Sequence, residues 1–290
     1  MPAATLKLLV TGAHGQLGSE ITRLVEGDPT VDLVALSSAE LDVVDRRAVF
    51  AAVSACSADL IIHAAAWTAV DACEGDAQRA FRVNALGSRN VAEAARRCGA
   101  HLVAISTDYV FDGTGLCPYN EWDTTNPLSV YGSSKRAGEQ EVLSGCPSAT
   151  IVRTSWVCGA FGVNMVKTVL RLASGDAPLR FVDDQVGCPT FTSDLAPMLL
   201  RLGEERVPGV IHVTNQGPTS WYQFARDVIS ASGGDPERVE AVATDDLVPA
   251  RPAPRPRNSV LDNAVLRFYG FDLLADYHDP LIRTVTALTS

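Results

Sequence analysis

The first strand and the turn that follows it constrain this chain more than any other feature. Leu6-Lys7-Leu8-Leu9-Val10 reads as a short buried strand, and Thr11-Gly12-Ala13-His14-Gly15-Gln16-Leu17-Gly18 follows without a gap. Helical texture then runs from Ser19 to Val25. Strand, glycine-rich turn and helix together aim backbone N–H groups and a helix N-terminus at one spot, which suits a pyrophosphate. The glycines fall at 12, 15 and 18, giving G-x-x-G-x-x-G and not the G-x-G-x-x-G of many dinucleotide folds. Placed directly after the opening strand, the turn predicts a dinucleotide site at Gly12, Gly15, Gln16, Leu17 and Gly18. His14, inside the turn, is read as a loop residue without a role.

The pattern continues as alternation. Val31–Leu36, Leu60–Ala64, His101–Ser106 and Thr150–Arg153 read as strands. Between them Arg46–Ser54, Ala77–Cys98 (stopped by Gly99) and Ser129–Leu143 read as helices. Such alternation predicts an α/β fold, a Rossmann-type doubly wound parallel sheet wrapped by helices. After residue 158 the texture changes. Turns become frequent, strands shorten (Leu179–Val182, Val210–Val213), and prolines cluster between Pro249 and Pro256. The expected division is a dinucleotide-binding domain at 1–158 and a smaller C-terminal α/β substrate lobe at 159–290, with some later segments returning to the main sheet.

Composition excludes several function classes. The net charge is −10, and no basic cluster precedes the Arg251–Arg257 segment, so no nucleic-acid surface is expected. No apolar run approaches the ~20 residues of a membrane helix, and Met1–Thr5 shows no leader pattern. Seven scattered cysteines without a C-x-x-C imply reduced thiols in a cytoplasmic protein, with neither a disulfide frame nor a metal site.

Ligands bind at the carboxyl ends of strands in an open parallel sheet, so the residues standing there carry the chemistry. Ser37 and Ser38 follow the strand ending at Leu36, where an Asp or Glu would bind a ribose 2′-hydroxyl. With no acid there, NADPH or NADH is admitted, with NADPH slightly favoured; equally, nothing at this position need discriminate. Asp42 and Val43 either touch adenine or serve the next turn. Ala64, Ala65 and Ala66 either admit a cofactor or simply pack. Thr107 ends the strand at 101–106, and Tyr131 and Lys135 stand four apart on the helix that follows. Neighbours at i and i+4 share a helical face. The ammonium is therefore expected to lower a phenol pKa that is about 10 when unperturbed, making Tyr131 a general acid.

Seven segments in order carry a resemblance: Gly12–Gly18, Ala64–Asp71, Ser106–Gly113, Tyr131–Glu139, Arg153–Trp156, Asp184–Thr190 and Arg255–Leu261. Almost end to end, the chain resembles the extended short-chain dehydrogenase/reductases, and within them the dTDP-4-dehydrorhamnose reductase family. The resemblance implies NAD(P)H-dependent reduction of the C4 ketone of a dTDP-linked 6-deoxy-sugar. Tyr131, Lys135 and Thr107 would be catalytic, with Tyr131 and Lys135 also touching the cofactor. Thr107, Asp108, Tyr131, Trp156 and Arg255 would meet the dTDP-sugar. Asp42 and Val43 would lie at the adenine, and Ala66, Trp67 and Thr68 near the cofactor ribose, beside Ser37. Dehydratases of similar pattern have Asp-Glu after the strand-end Thr; here Tyr109 follows Asp108, which disfavours elimination of water.

Two positions depart from the family pattern. Trp67 stands where His or Tyr is usual, and Cys158 where Tyr follows Trp-Val, so another dTDP-4-keto-6-deoxysugar is an alternative substrate. A non-catalytic NADP-binding subunit, like the partner of methionine adenosyltransferase, is the alternative of another class. Glu20 could supply one ligand of an interfacial magnesium, but Ser193 stands where another acid would be needed, so no metal is expected. The assembly is a monomer or homodimer.

Overall fold

The strands form from short, mainly apolar runs, and the central ones are buried on both faces. Leu6–Thr11 (β1), Val31–Leu36 (β2), Leu60–His63 (β3), His101–Thr107 (β4) and Thr150–Thr154 (β5) pair in parallel. Leu8, Leu9, Val10, Ile61 and Ile62 are completely buried. The computed structural model describes residues 5–175 and 177–290. Met1–Ala4, on which the expected lack of a leader rests, lie outside the described residues.

The sheet order is β5-β4-β3-β1-β2, and a sixth strand, Gly209–His212, joins in parallel outside β5. Helices cover both faces. On one side Arg46–Cys56 (α2), Ser88–Cys98 (α3) and Val130–Gly145 (α4) pack on Leu9, Ile61, Leu102 and Ile151. On the other, Gln16–Val25 (α1) and the helix Thr192–Glu204 pack on Leu8, Val10, Ile62 and Val103. Side-chain caps start two of these helices: Asp45 accepts from Arg47 and Ala48 N–H, and Ser129 accepts from Gly132 N–H. A separate core gathers Val166, Phe191, Phe224, Val228 and Leu281 beside the sheet.

The long helix expected over Ala77–Cys98 is not uniform. An α-helix at Ala77–Phe81 passes through a π-helical stretch, Arg82–Gly87, before α3 begins. The cause lies at Asn84, which is fully buried. Its amide donates to the Trp67 carbonyl (3.1 Å) and Ser134 Oγ (2.9 Å), while its Oδ1 accepts from Trp67 N–H (2.8 Å). π-Bulges of this kind concentrate at functional sites.

All seven cysteines are free thiols. No helix among the described residues is long and apolar enough to cross a membrane.

Candidate active site

Two contiguous cavities, about 770 and 660 Å³, open along the carboxyl ends of β1, β3 and β4, and share Gly12, His14, Gly15, Ala64 and Ala66. The glycine turn forms the junction. Gly12 has φ +74°, and a Cβ there would lie 2.7 Å from the Ala65 nitrogen. At Gly18 a Cβ would lie 2.3 Å from the Gly12 carbonyl, so α1 could not approach β1 as it does. The helix starts at Gly15 without any side-chain cap. Its first N–H groups are thus left for a ligand. Gln16 Oε1 is buried without a partner in the same wall. An uncapped helix start and a cradle only glycine can line fit a dinucleotide diphosphate.

The larger cavity is lined further by Ser38, Asp42, Val43, Trp67, Arg79 and Arg82, and the Arg79 guanidinium lies 4.5 Å over the Trp67 ring. Ser37 departs from expectation. It is buried, and both its N–H (2.8 Å) and its hydroxyl (2.7 Å) are given to Glu40 Oε2. Ser38 lines the cavity in its place. The strand end is therefore not free of acid, because a carboxylate three residues on folds back to it.

The smaller cavity holds Thr68, Thr107, Asp108, Tyr131, Lys135, Thr154 and Trp156. β4 delivers Thr107 at its carboxyl end, and the Ser129 cap sets the start of α4, which delivers Tyr131 and Lys135. Tyr131 is 9 % exposed. Burial pushes its phenol well above the ordinary value, and the Thr107 hydroxyl offsets this in part. The net effect on the phenol is thus opposite to the expected lowering, and the Lys135 ammonium donates to the Ile105 carbonyl at 2.7 Å. Burial takes Lys135 itself down to about 8, against the opposing pull of Glu139. The i, i+4 relation placed both groups in one cavity, but the carbonyl claims the ammonium.

Behind Lys135, Glu139 is held by Arg153 through two hydrogen bonds (2.9 and 2.8 Å) and by the Ser106 hydroxyl (2.5 Å). Asp108 is 2 % exposed and accepts from Thr107 Oγ1 at 2.9 Å. Burial raises it to about 6, with the nearby hydroxyls of Ser259 and Thr107 opposing the rise. Its second oxygen and the Thr154 hydroxyl, both on the cavity wall, have no partner. Buried orphans of this kind call for a polar ligand.

Trp156 stacks on Trp221 with centroids 3.5 Å apart and planes 6° from parallel, its own backbone at φ +47°. A non-glycine residue in that region is strained and concentrates at ligand clamps. Trp221 also lines the cavity and was missed in the sequence, where it reads as the first residue of an amphipathic helix. Asn84 was missed as well; its signal was a lone amide among Val83, Ala85 and Leu86. Arg255 is placed differently from expectation. Its guanidinium is taken up by Asp71 and it does not line the cleft. Among the described residues no group of three His, Cys, Asp or Glu side chains is arranged to hold a metal. Cys158 is buried.

Parallel sheet, glycine cradle and a cleft joining Thr107, Tyr131 and Lys135 define a Rossmann-type reductase. The family described as RmlD substrate binding domain matches residues 6–290. A dTDP-4-dehydrorhamnose reductase of Streptomyces griseus is 42% identical over 97% of this chain and 93% of its own. The structure of a dTDP-4-dehydrorhamnose reductase from Clostridium acetobutylicum superposes with a TM-score of 0.94 at 39% identity, covering 98% of this chain and all of the other. That of the Bacillus anthracis enzyme, in complex with NADP, gives 0.93 at 37% identity, with 98% and 99% covered. The chain belongs to the dTDP-4-dehydrorhamnose reductase family.

Proposed function

We propose that this protein uses NADH or NADPH to reduce the C4 ketone of dTDP-4-dehydro-6-deoxy-L-mannose (dTDP-4-keto-L-rhamnose), giving dTDP-L-rhamnose, in the cytoplasm. The reading rests on one observation above others: a buried, neutral Tyr131 sits with Thr107 and Asp108 in the cleft whose far end is the glycine cradle.

The reduced nicotinamide, when bound, supplies the hydride. Gly12, Gly15, Gln16, Leu17 and Gly18 hold the diphosphate, with Asp42 and Val43 at the adenine and Ala66, Trp67 and Thr68 at the ribose region. Tyr131 keeps its proton at neutral pH because burial disfavours the phenolate. It gives that proton to the C4 oxygen as negative charge develops there. The Thr107 hydroxyl donates to the same oxygen when it leaves Asp108, and the unpaired Asp108 oxygen accepts from a sugar hydroxyl. Lys135 retains N–H donors beyond the one on Ile105 and directs them to the nicotinamide ribose. Trp156, backed by Trp221, gives the sugar an apolar wall. Arg255 would reach the substrate diphosphate only by releasing Asp71. In this scheme residues 1–158 carry the cofactor and 159–290 the sugar nucleotide, in a monomer or homodimer.

The test is direct. The purified protein is mixed with freshly made dTDP-4-keto-L-rhamnose and NADH or NADPH, and the reduced-nicotinamide absorbance and product sugar are followed. Oxidation with appearance of dTDP-L-rhamnose supports the reading. Silence in folded, cofactor-binding protein overturns it, in favour of another dTDP-4-keto-6-deoxysugar or a regulatory subunit.

A further inference from the structure

Behind the cleft, the ends of three strands carry a polar row. Ser106 of β4 stands in register with Arg153 of β5, and Arg153 with His212 of the strand Gly209–His212. Glu139 of α4 reaches into this row. Its Oε1 accepts from the Ser106 hydroxyl at 2.5 Å, and its two oxygens accept from Arg153 at 2.9 and 2.8 Å. His212 Nδ1 donates to the Asp262 carbonyl at 3.0 Å, so its Nε2 accepts from the remaining Arg153 nitrogen, Nη1, at 3.4 Å. Glu139 and Arg153 are 8 % and 5 % exposed. A buried ion pair is weak evidence for stability, because desolvation offsets the attraction. Its position says more.

Three consecutive residues of β4 divide the work. The Ile105 carbonyl accepts from the Lys135 ammonium, Ser106 donates to Glu139, and Thr107 lines the cavity. Glu139 also lies one helical turn beyond Lys135, on the same face. It thus grips the strand end that anchors the ammonium and places a negative charge behind it. Burial works to strip Lys135 of its proton, and Glu139 opposes this. The other titratable groups on the elements around the ammonium are Tyr131 of the same helix, neutral His63 of β3, Asp108 and Tyr109 past β4, and His14 of the glycine turn. Among the described residues, Lys135 is the one Lys or Arg on the wall of the smaller cavity. It therefore supplies the positive charge facing Tyr131 as the phenol gives up its proton.

We propose that Glu139 is a positioning residue of this reductase: fixed by Arg153 and Ser106, it keeps the Lys135 ammonium charged and held to the Ile105 carbonyl. The inference rests on the role given to Lys135 above. A neutral Lys135 would keep donors for the ribose but lose the charge facing Tyr131. With Glu139 in place Lys135 stands at about 8. The ammonium is charged below that value and loses its charge as pH rises through it. Removing Glu139 leaves burial unopposed and brings that loss to lower pH.

Competitive acetylation by acetic anhydride tests this apart from turnover. The chain has three lysines, Lys7, Lys135 and Lys167, and peptide masses separate them. In the wild-type protein the acetylation rate of Lys135 should rise through an inflection at about pH 8. In Glu139→Gln the inflection should fall by about one unit or more, and the alkaline limb of turnover should fall with it. Glu139→Asp keeps the charge and should stay nearer wild type. Glu139→Gln leaves Arg153 buried and unpaired, so a second variant combines it with Arg153→Met, which leaves no stranded ion. Its inflection should still lie below that of wild type. An inflection at the wild-type pH in either folded Gln variant overturns the assignment. A lowered inflection, in a protein whose wild type does not turn over the keto-sugar, would unseat the substrate reading and leave Glu139's hold on Lys135 standing.

Discussion

Arg255 closes on Asp71 with both terminal nitrogens, at 3.0 and 2.8 Å, across 184 positions of sequence. The Ala253 N–H adds a third bond to the same carboxylate at 3.1 Å. Asp71 belongs to the short helix Val70–Gly75 that follows the Ala64–Trp67 wall of the cleft. The proline-rich segment is thereby strapped to the cofactor side of the molecule. The Arg255 pairing holds the Asp71 carboxyl below its usual range. Its contribution is thus complete above about pH 4, the unfolded carboxylate value, and is lost as pH falls through the lowered folded value. With Asp71 partly exposed, a double-mutant cycle of Asp71→Asn and Arg255→Met in urea should give a coupling of about 1 kcal/mol. Additive single effects would mean that the contact is not energetic.

Tyr131→Phe should lower turnover by about 10²-fold or more, since the proton donor goes while the ring stays. Affinity for the cofactor should remain within about twofold. Near-normal turnover would remove Tyr131 from the mechanism.

The Trp156–Trp221 stack predicts that both rings serve the sugar nucleotide. Trp221 holds the Trp156 ring flat against its own, with centroids 3.5 Å apart. Trp221→Ala should therefore raise KM for the dTDP-sugar by about three- to tenfold, and Trp156→Ala by more, with cofactor affinity unchanged. Equal loss of both affinities would mark the pair as purely structural.

Three buried histidines predict how the fold responds to acid. Ser88 donates to the Asn84 carbonyl, so it must accept from His63 Nε2, leaving Nδ1 to accept from Thr11 at 2.7 Å. Neutral His63 is fully satisfied and burial lowers it to about 3. Burial likewise takes His101 to about 4 and His212 to about 3. Unfolded histidine titrates near 6.5, so from there down to about pH 4 the unfolded chain binds up to three more protons than the folded one at these sites. Stability falls as pH drops, by about 1.4 kcal/mol per unit for each. Asp108, raised to about 6, has the opposite sign and offsets about one of them. Urea midpoints between pH 7 and 4.5 should show a net uptake near two protons, reduced by one in His63→Asn. A flat profile would contradict the buried neutral rings.

Much of this was legible in the residues because the signals are local. The β1–turn–α1 unit follows from an apolar run beside glycines whose missing Cβ atoms are sterically required, and the sheet follows from mainly apolar strands alternating with helices. The Tyr131–Lys135 pairing in one cavity follows from helix periodicity alone. What the chain order could not convey is where a side chain goes when several partners compete for it. Lys135 faces the cavity, yet its ammonium is claimed by Ile105. Asn84 interrupts a helix because its amide reaches the Trp67 backbone.

Residue order alone specifies the parallel sheet, the glycine-rich turn and the set of groups gathered at the strand ends. That Arg255 is spent on Asp71, that Trp221 backs Trp156 and that Glu40 returns to Ser37 emerges from the folded chain. Backbone periodicity is written residue by residue, whereas the partner of a charge or a ring depends on which distant segment folding brings within about 3–4 Å of it.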